Sequence, residues 1–223
     1  MTAYLRNVAA LAAKDLRTDL RARHTMAIVM PFAVMLVVTS GLVFGPGRTM
    51  LIQVLPGIIW LGALFAAVLA SERSFENECA DGALLGLILA PVPRGAVFTG
   101  KAIALTAQLI VLEAGMMLLG VILFDLPAMA RPLELTVVMF TGAAGLGALG
   151  VLFGAFASAT QTRSGVFPLL ALVLAAPMLL GATRGTAAAL GGEDPGDWLS
   201  LLAAFDLIAW SLGALLFESV LED

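Results

Sequence analysis

Apolar residues are grouped along this chain into six long runs that short polar stretches separate. The runs are residues 26–44, 50–70, 102–124, 135–157, 165–183 and 198–217. Each is close to the ~20 residues that an α-helix needs to cross the hydrocarbon of a bilayer. A helix satisfies its own backbone hydrogen bonds in lipid, and the runs lack the period-two alternation of a membrane β-barrel. The pattern therefore predicts an all-α polytopic membrane protein with six transmembrane helices.

Composition supports a membrane protein and excludes several other classes. Hydrophobic residues make up 61% of the chain and charged residues 13%, whereas a soluble domain has about half and about a quarter. The chain has no basic patch large enough to expect binding to nucleic acid. Its one cysteine, Cys79, excludes an internal disulfide. We expect one transmembrane domain over residues 1–223 and no soluble catalytic domain.

The N-terminal residues predict an amphipathic helix. An apolar stripe recurs at helical spacing, while the basic residues lie off it. The stripe consists of Leu5, Val8, Ala9, Ala12, Leu16 and Leu20. Charges interrupt the segment throughout, so we do not expect a cleaved signal peptide. Residues 1–25 are expected to form a helix in the headgroup layer, either as an interfacial anchor alone or also as a clasp on a neighbouring subunit.

Lysine and arginine predict the orientation in the membrane. One side of the six-span arrangement holds Arg6, Lys14, Arg17, Arg21, Arg23, Arg73, Arg94, Lys101 and Arg163. The other side holds Arg48, Arg131 and Arg184. Because loops rich in Lys and Arg stay in the cytoplasm, both termini and the segment between the second and third spans are expected there.

That segment, residues 72–93, has an unusual composition for a connection between spans. Acidic residues dominate its first half, the apolar residues 83–90 follow, and Pro91 and Pro93 end any helix. The apolar part is too short to cross the bilayer and has to be buried against something else. A short helix of this kind suits docking into a groove on a soluble partner. Periodicity alone leaves a plain re-entrant or interfacial connector equally open.

One stretch approaches a nucleotide-binding motif. Residues 95–101 have the spacing GxxxxGK, but Ala102 stands where a P-loop has Ser or Thr, and no predicted strand precedes it. We interpret it as the entry of the third span, with Arg94 and Lys101 at the cytoplasmic interface. No catalytic, cofactor-binding or metal-binding residue is assigned to the chain.

Polar and small residues inside the spans are the remaining candidates. Glu113 and Asp206 are the two charged residues within the runs. The mid-span carboxyl of Glu113 is expected to face the protein interior, whereas Asp206 lies closer to the outer end of its span and is expected to reach the headgroups. For each, a transport or coupling role and a structural polar contact both stay open. Gly150 and Gly154 form a GxxxG pair, which predicts close helix packing within the subunit or at a dimer seam.

Several of these stretches together resemble one family. The run Pro56-Gly57-Ile58-Ile59-Trp60, then residues 70–73, Phe75, Asp81-Gly82 and 89–93, is similar to the heme exporter protein B family. Residues 163–166, 172–174 and Pro177 resemble its fifth span. The length and the six-span layout also fit, whereas the acidic end, with Glu218, Glu222 and Asp223, departs from the family's more basic ending.

The resemblance implies the permease-type membrane subunit of an ABC transporter for cytochrome c maturation, located in the bacterial inner membrane. The segment after the second span is then the coupling helix, which docks onto a separate cytoplasmic ATPase that binds ATP. The implied docking residues are Glu72, Arg73, Phe75, Glu76, Asp81, Gly82, Leu84 and Leu87. The implied complex holds two copies of this chain, a heme-handling membrane subunit and a periplasmic heme chaperone.

The chain itself is expected to be neither an enzyme nor a stable heme carrier. Heme needs an axial ligand such as His or Met. The single histidine, His24, stands at the edge of the first span, and the methionines fit packing in apolar runs. Two rival functions stay open: a permease that exports a lipid or drug, and a membrane scaffold that only holds the ATPase.

Overall fold

The computed structural model describes residues 2–22, 24–44, 48–80, 92–124, 130–159 and 166–220. Every regular element within these ranges is an α-helix. The helices are α1 Thr2–Ala22, α2 His24–Phe44, α3 Arg48–Ala80, α4 Arg94–Phe124, α5 Pro132–Ala159, α6 Val166–Gly191 and α7 Gly196–Val220. The predicted all-α class is confirmed.

Helices α3 to α7 are each long and apolar enough to cross a membrane. They cover the second to sixth predicted spans, so the chain is a multi-pass membrane protein. Helix α2 covers the first predicted span, but the apolar part that the structure describes is the shorter segment Val29–Val43. The count of six spans therefore stays a prediction.

Helix α5 lies at the centre of the bundle. It packs against α3, α4, α6 and α7, and every residue from 142 to 152 is buried. Lipid tails are as apolar as leucine, so close packing rather than hydrophobicity draws a membrane helix into a central position. Glycine allows that approach here: a methyl group added at Gly142 would overlap the Trp60 ring of α3, and one added at Gly147 would overlap Thr106 of α4.

Helices α3 and α4 both continue beyond the spans that hydropathy predicts. Helix α3 passes residue 70 and ends at Ala80, and α4 begins at Arg94 rather than at residue 102. With 33 residues, α3 is about 50 Å long, whereas the hydrocarbon core is about 30 Å thick. The GxxxxGK stretch forms the first turns of α4 and is not a loop. The two extensions lie at one end of the bundle together with α1, and we call this the α1 end.

The helix at the fifth predicted span begins where expected, at Val166, but ends later than predicted. The predicted span ends at residue 183, just before Arg184, but α6 continues to Gly191 with the Arg184 side chain exposed. Only residues 192–195 connect α6 to α7. Gly192 has a φ of 84°, and the Glu193 amide bonds to the Ala188 carbonyl at 2.9 Å. A glycine in this left-handed conformation is a common way to end a helix.

Helix α1 packs across the start of α4. The two backbones come close at Gly100, where an added Cβ would lie 2.8 Å from Leu11 Cβ and 3.2 Å from the Val8 carbonyl oxygen. The predicted apolar stripe is divided between two environments: Val8 and Ala12 are buried, whereas Leu5 is 60% exposed. The interfacial position of α1 stays a prediction, but one side of the helix is now assigned to the bundle.

Candidate functional site

The candidate site lies at the α1 end, where α3 leaves the bundle. Residues 71–80 continue α3 without a break, and we call them the α3 extension. The first half of the predicted coupling segment is therefore not a separate helix but the prolongation of a transmembrane helix. The extension and the spanning part of α3 therefore form one continuous helix.

Phe75 fixes the base of the α3 extension. Its ring is 2% exposed, and an added Cβ at Gly154 of α5 would lie 2.8 Å from Phe75 Cδ2. The ring centroid is 6.4 Å from that of Phe217 in α7, which is 5.8 Å from Phe98 in α4. Such tilted aromatic pairs add to the stability that burial provides. The resemblance implied Phe75 as a docking residue. Its enclosed ring offers no surface to a partner and instead packs the base of the extension against α5 and α7.

A buried cation lies beside this ring. Lys101 of α4 is 5% exposed, and its Nζ is 4.9 Å from the centroid of Phe75. The ammonium donates to the Ser74 hydroxyl at 3.0 Å and forms an ion pair with Asp15 of α1 at 3.4 Å. The position of Lys101 at the membrane interface stays a prediction, and the structure adds that its side chain is buried between helices there. It joins side chains of α1, α3 and α4, which we call the Lys101 cluster: Asp15, Ser74, Phe75 and Lys101.

A small cavity adjoins the Lys101 cluster. Its volume is about 20 Å³, and it is lined by Asp15, Ala70, Ser71, Ser74, Phe75, Lys101, Ala104, Leu105, Gln108 and Val151. This volume accommodates about one water molecule, and the lining offers several polar partners for it. The site is thus large enough for solvent or an ion but far too small for heme.

Sequence reasoning missed this cluster. One signal was available, because Asp15 stands seven residues after Val8 and so returns to the same face of α1. A carboxyl on a buried face requires a partner, and Lys101 is the cation at the start of α4 that reaches it. Asp15 also pairs with the neighbouring Lys14 at 3.4 Å. Which cation of another helix reaches it depends on helix packing and could not be read from the sequence.

The remaining docking residues are only partly described. Glu72 and Arg73 are half-buried at the start of the α3 extension. Glu76 lies further along the same helix. Asp81, Gly82, Leu84 and Leu87 lie outside the described residues, so their role stays a prediction.

Glu113 lies in the interior of α4, as expected for an intramembrane carboxyl. Its side chain is 0% exposed, and neither carboxyl oxygen has a hydrogen-bond partner within the described residues. Leu109, Leu112, Met116 and Met117 on the same helix are also buried. A buried carboxyl without a hydrogen-bond partner among the described residues is costly in such surroundings.

Asp206 faces the bundle rather than the headgroups that its place near the end of the sixth span suggested. Its Oδ1 atom is buried and would lie 2.6 Å from a Cβ added at Gly145 of α5. That oxygen also lacks a hydrogen-bond partner among the residues described. A carboxyl therefore lies directly on the bare backbone of the central helix.

Gly150 and Gly154 pack within the subunit. A Cβ at Gly150 would lie 2.9 Å from Leu105 Cδ2 of α4 and 3.4 Å from the Ala67 carbonyl oxygen of α3. Gly154 meets Phe75, as described above. The pair therefore brings α5 against α3 and α4, which is the first of the two arrangements that the spacing allowed.

Metal-binding side chains do not converge in the described part of the chain: no group of three or more His, Cys, Asp or Glu side chains is placed to hold an ion there. The carboxyls of Glu113 and Asp206 stand among apolar residues and glycine. Three structural features therefore need a functional explanation. They are the α3 extension, the enclosed Phe75 ring at its base, and the buried polar groups of the Lys101 cluster, Glu113 and Asp206.

Comparison with known proteins gives these features a family context. The family model described as CcmB protein matches residues 6–222. That match covers nearly the whole chain.

The chain belongs to the CcmB protein family.

Individual relatives extend this match. A protein of Rhodobacter capsulatus named Heme exporter protein B is 38% identical over 175 residues, which cover 77% of this chain and 78% of that one. The Paracoccus denitrificans protein of the same name is 31% identical over 207 residues, which cover 91% of this chain and 93% of that protein. The Escherichia coli protein of the same name is 39% identical over 92 residues. CcmB membership therefore confirms the resemblance that residues 56–93 carried.

Proposed function

We propose that this chain is the membrane-spanning subunit of an ATP-driven complex for c-type cytochrome biogenesis. In this complex a separate ATPase drives heme export or the release of a heme-loaded chaperone. The observation that carries the proposal is the CcmB match over residues 6–222, together with relatives named Heme exporter protein B along most of their length. Heme is the cargo of the complex in this proposal and not a resident cofactor of this chain.

The continuity of α3 supports a role in transmitting force. ATPase closure would push on the segment that begins at Glu72, and α3 continues unbroken from there through the membrane. A helix resists such a push because its turns are hydrogen-bonded to one another, although Pro56 within α3 lacks the N–H for one of these bonds. The base of the extension is also tied to α5 and α7 through Phe75. A displacement at the α1 end would therefore reach the centre of the bundle.

The start of α4 supports assigning ATP hydrolysis to a separate subunit. A P-loop holds phosphate with a flexible glycine-rich loop and a lysine that reaches the ligand. Here the GxxxxGK stretch is helical, and Lys101 is buried in an ion pair with Asp15. Lys101 cannot reach a bound phosphate while it is held in this ion pair with Asp15.

The remaining partners follow from the family and from charge. We place the chain in the bacterial inner membrane with both termini in the cytoplasm, since nine of its twelve Lys and Arg residues fall on that side in the six-span arrangement. The ATPase then meets the α1 end. A heme-handling membrane subunit, a periplasmic heme chaperone and a second copy of this chain complete the proposed complex.

An affinity purification of the gently solubilised chain tests the proposal. Mass spectrometry should identify an ABC-type ATPase and a heme-binding membrane protein, and the preparation should show a heme absorbance spectrum. An ATPase without a heme partner would favour export of a lipid or drug. The absence of any ATPase would contradict the proposed coupling.

A charge-reversal variant locates the docking surface. Glu72→Lys combined with Arg73→Glu should reduce ATPase recovery while the chain still inserts and folds. Glu193→Lys, an exposed residue at the opposite end of the bundle, is the matched control and should leave recovery unchanged. Equal recovery from both variants would move the docking surface away from the α3 extension.

A further inference from the structure

Helix α1 and the α3 extension are linked by one buried side chain. Along the described residues α1 packs on α4 and touches α2, but it has no extended packing with α3. The Lys101 ammonium bridges the two, because it contacts Ser74 in the α3 extension and Asp15 in α1. The link therefore runs through a charged group and not through an apolar seam.

The position of Lys101 in α4 makes this bridge stiff. Gly100, the preceding residue, brings the α4 backbone against Val8 and Leu11 of α1. On the other side the ammonium lies 4.9 Å from the centre of the Phe75 ring, which is itself enclosed. The lysine ammonium carries three donors, so it can hold Ser74 and Asp15 at the same time. Pulling a buried ammonium away from its partners is strongly unfavourable.

We propose that Lys101 is a positioning residue that makes α1 and the α3 extension move as one body. Helix α1 then takes part in coupling and does not only anchor the chain to the membrane surface. The transport consequence of this inference rests on the proposed function, whereas its structural consequence does not. The two are therefore tested separately.

The structural test uses the single native cysteine. Cys79 lies in the α3 extension, so one added cysteine at the exposed Thr18 of α1 allows a pair of spin labels in the full chain. The distance distribution between them in lipid nanodiscs should be narrow. With Lys101→Met it should broaden and move to longer distances, and with Lys101→Arg it should stay narrow. A distribution in Lys101→Met as narrow as in the parent would overturn the inference.

A matched control separates the cluster from general charge effects. Arg17→Met removes an exposed cation from the same helix, and it should leave the distance distribution unchanged. Should Lys101→Met fail to accumulate, Asp15→Asn removes one side of the bridge and should broaden the same distribution. An unchanged distribution in Asp15→Asn would contradict the proposal.

The functional test is made on the assembled complex. Lys101→Met should retain its ATPase and hydrolyse ATP, but the holocytochrome formed per ATP hydrolysed should fall several-fold, and Lys101→Arg should restore it. An unchanged ratio in Lys101→Met would overturn the coupling role of α1. Loss of the ATPase itself would also overturn it, because Lys101 would then shape the docking surface. A parent complex without heme-dependent activity would instead refute the proposed function and leave the spin-label result standing.

Discussion

Trp60 of α3 donates its indole N–H to the hydroxyl of Thr186 in α6, with 3.0 Å between Nε1 and Oγ1. Both side chains are buried, and the Trp60 ring lies over Gly142 of α5. A buried indole N–H without a partner is costly, so tryptophan in an apolar interior usually finds an acceptor. This contact therefore contributes to setting how α3 and α6, which pack directly against each other, are rotated relative to one another.

A double-mutant cycle on this pair measures that contribution. Trp60→Phe and Thr186→Val should each destabilise the chain, and together they should cost less than the sum because one interaction is lost only once. We expect a coupling energy of about 1 kcal/mol, the scale of polar contacts between membrane helices. Thermal unfolding in detergent, followed by circular dichroism, gives the values. Additive effects would show that the hydrogen bond does not stabilise the bundle.

Thr141→Val is the control for this cycle. The Thr141 hydroxyl bonds only to carbonyls of its own helix among the contacts seen, at 2.9 Å and 3.1 Å. Combined with Trp60→Phe it should give additive changes in stability. Coupling as large as that of the Thr186 pair would mean that threonine substitution acts through the helix and not through the contact.

The GxxxG pair predicts a position-specific effect of added volume. Gly154→Leu places a side chain where Phe75 Cδ2 and Ser71 Cβ already lie 2.8 Å and 3.1 Å from the site of a Cβ. Overpacking of this kind costs about 1–3 kcal/mol, and here it also displaces the base of the α3 extension. Gly191→Leu is matched in chemistry but has no heavy atom within 4 Å of its Cβ position. Only the first variant should lower the melting temperature and the ATPase recovery.

Glu113 predicts a gain in stability on substitution. Glu113→Leu removes two buried oxygens without a hydrogen-bond partner in the described structure, so it should stabilise the chain by about 1–3 kcal/mol. Glu113→Gln keeps polar atoms at the site and should gain less. A lower melting temperature for the leucine variant would show that the carboxyl has a stabilising partner. A normal holocytochrome yield in the stabilised variant would favour a structural residue or a scaffold over a transport role.

The contact between Asp206 and Gly145 predicts a rescue. Gly145→Ala should destabilise the chain by about 1–3 kcal/mol, because its methyl group would lie 2.6 Å from Asp206 Oδ1. Asp206→Ala in the same chain removes that oxygen and should recover much of the loss. Thermal unfolding of both single variants and the double variant checks this. A double variant as unstable as the sum of the singles would mean that Phe205, 3.3 Å from the same position, limits the space instead.

Hydropathy was sufficient for the class of fold but not for the ends of the helices. Residues 135–157 were predicted as a span and lie within α5. The predicted spans end before Ser71–Arg73 and before Arg184, whereas the helices continue past both positions. A long helix can carry polar residues beyond the hydrocarbon or turn them outward. Helix continuity at such positions depends on packing: Phe75 is enclosed by α5 and α7, and residues 188–190 are buried.

The sequence by itself determined the membrane class, the family resemblance and the candidates that any intramembrane carboxyl or GxxxG pair suggests, since these depend on composition and local spacing. Tertiary structure decided which side chains meet. The pairing of Lys101 with Asp15, and of Trp60 with Thr186, joins residues 86 and 126 positions apart. Local periodicity assigns a residue to a face of its helix, but its partner depends on the rotation and depth at which the helices pack.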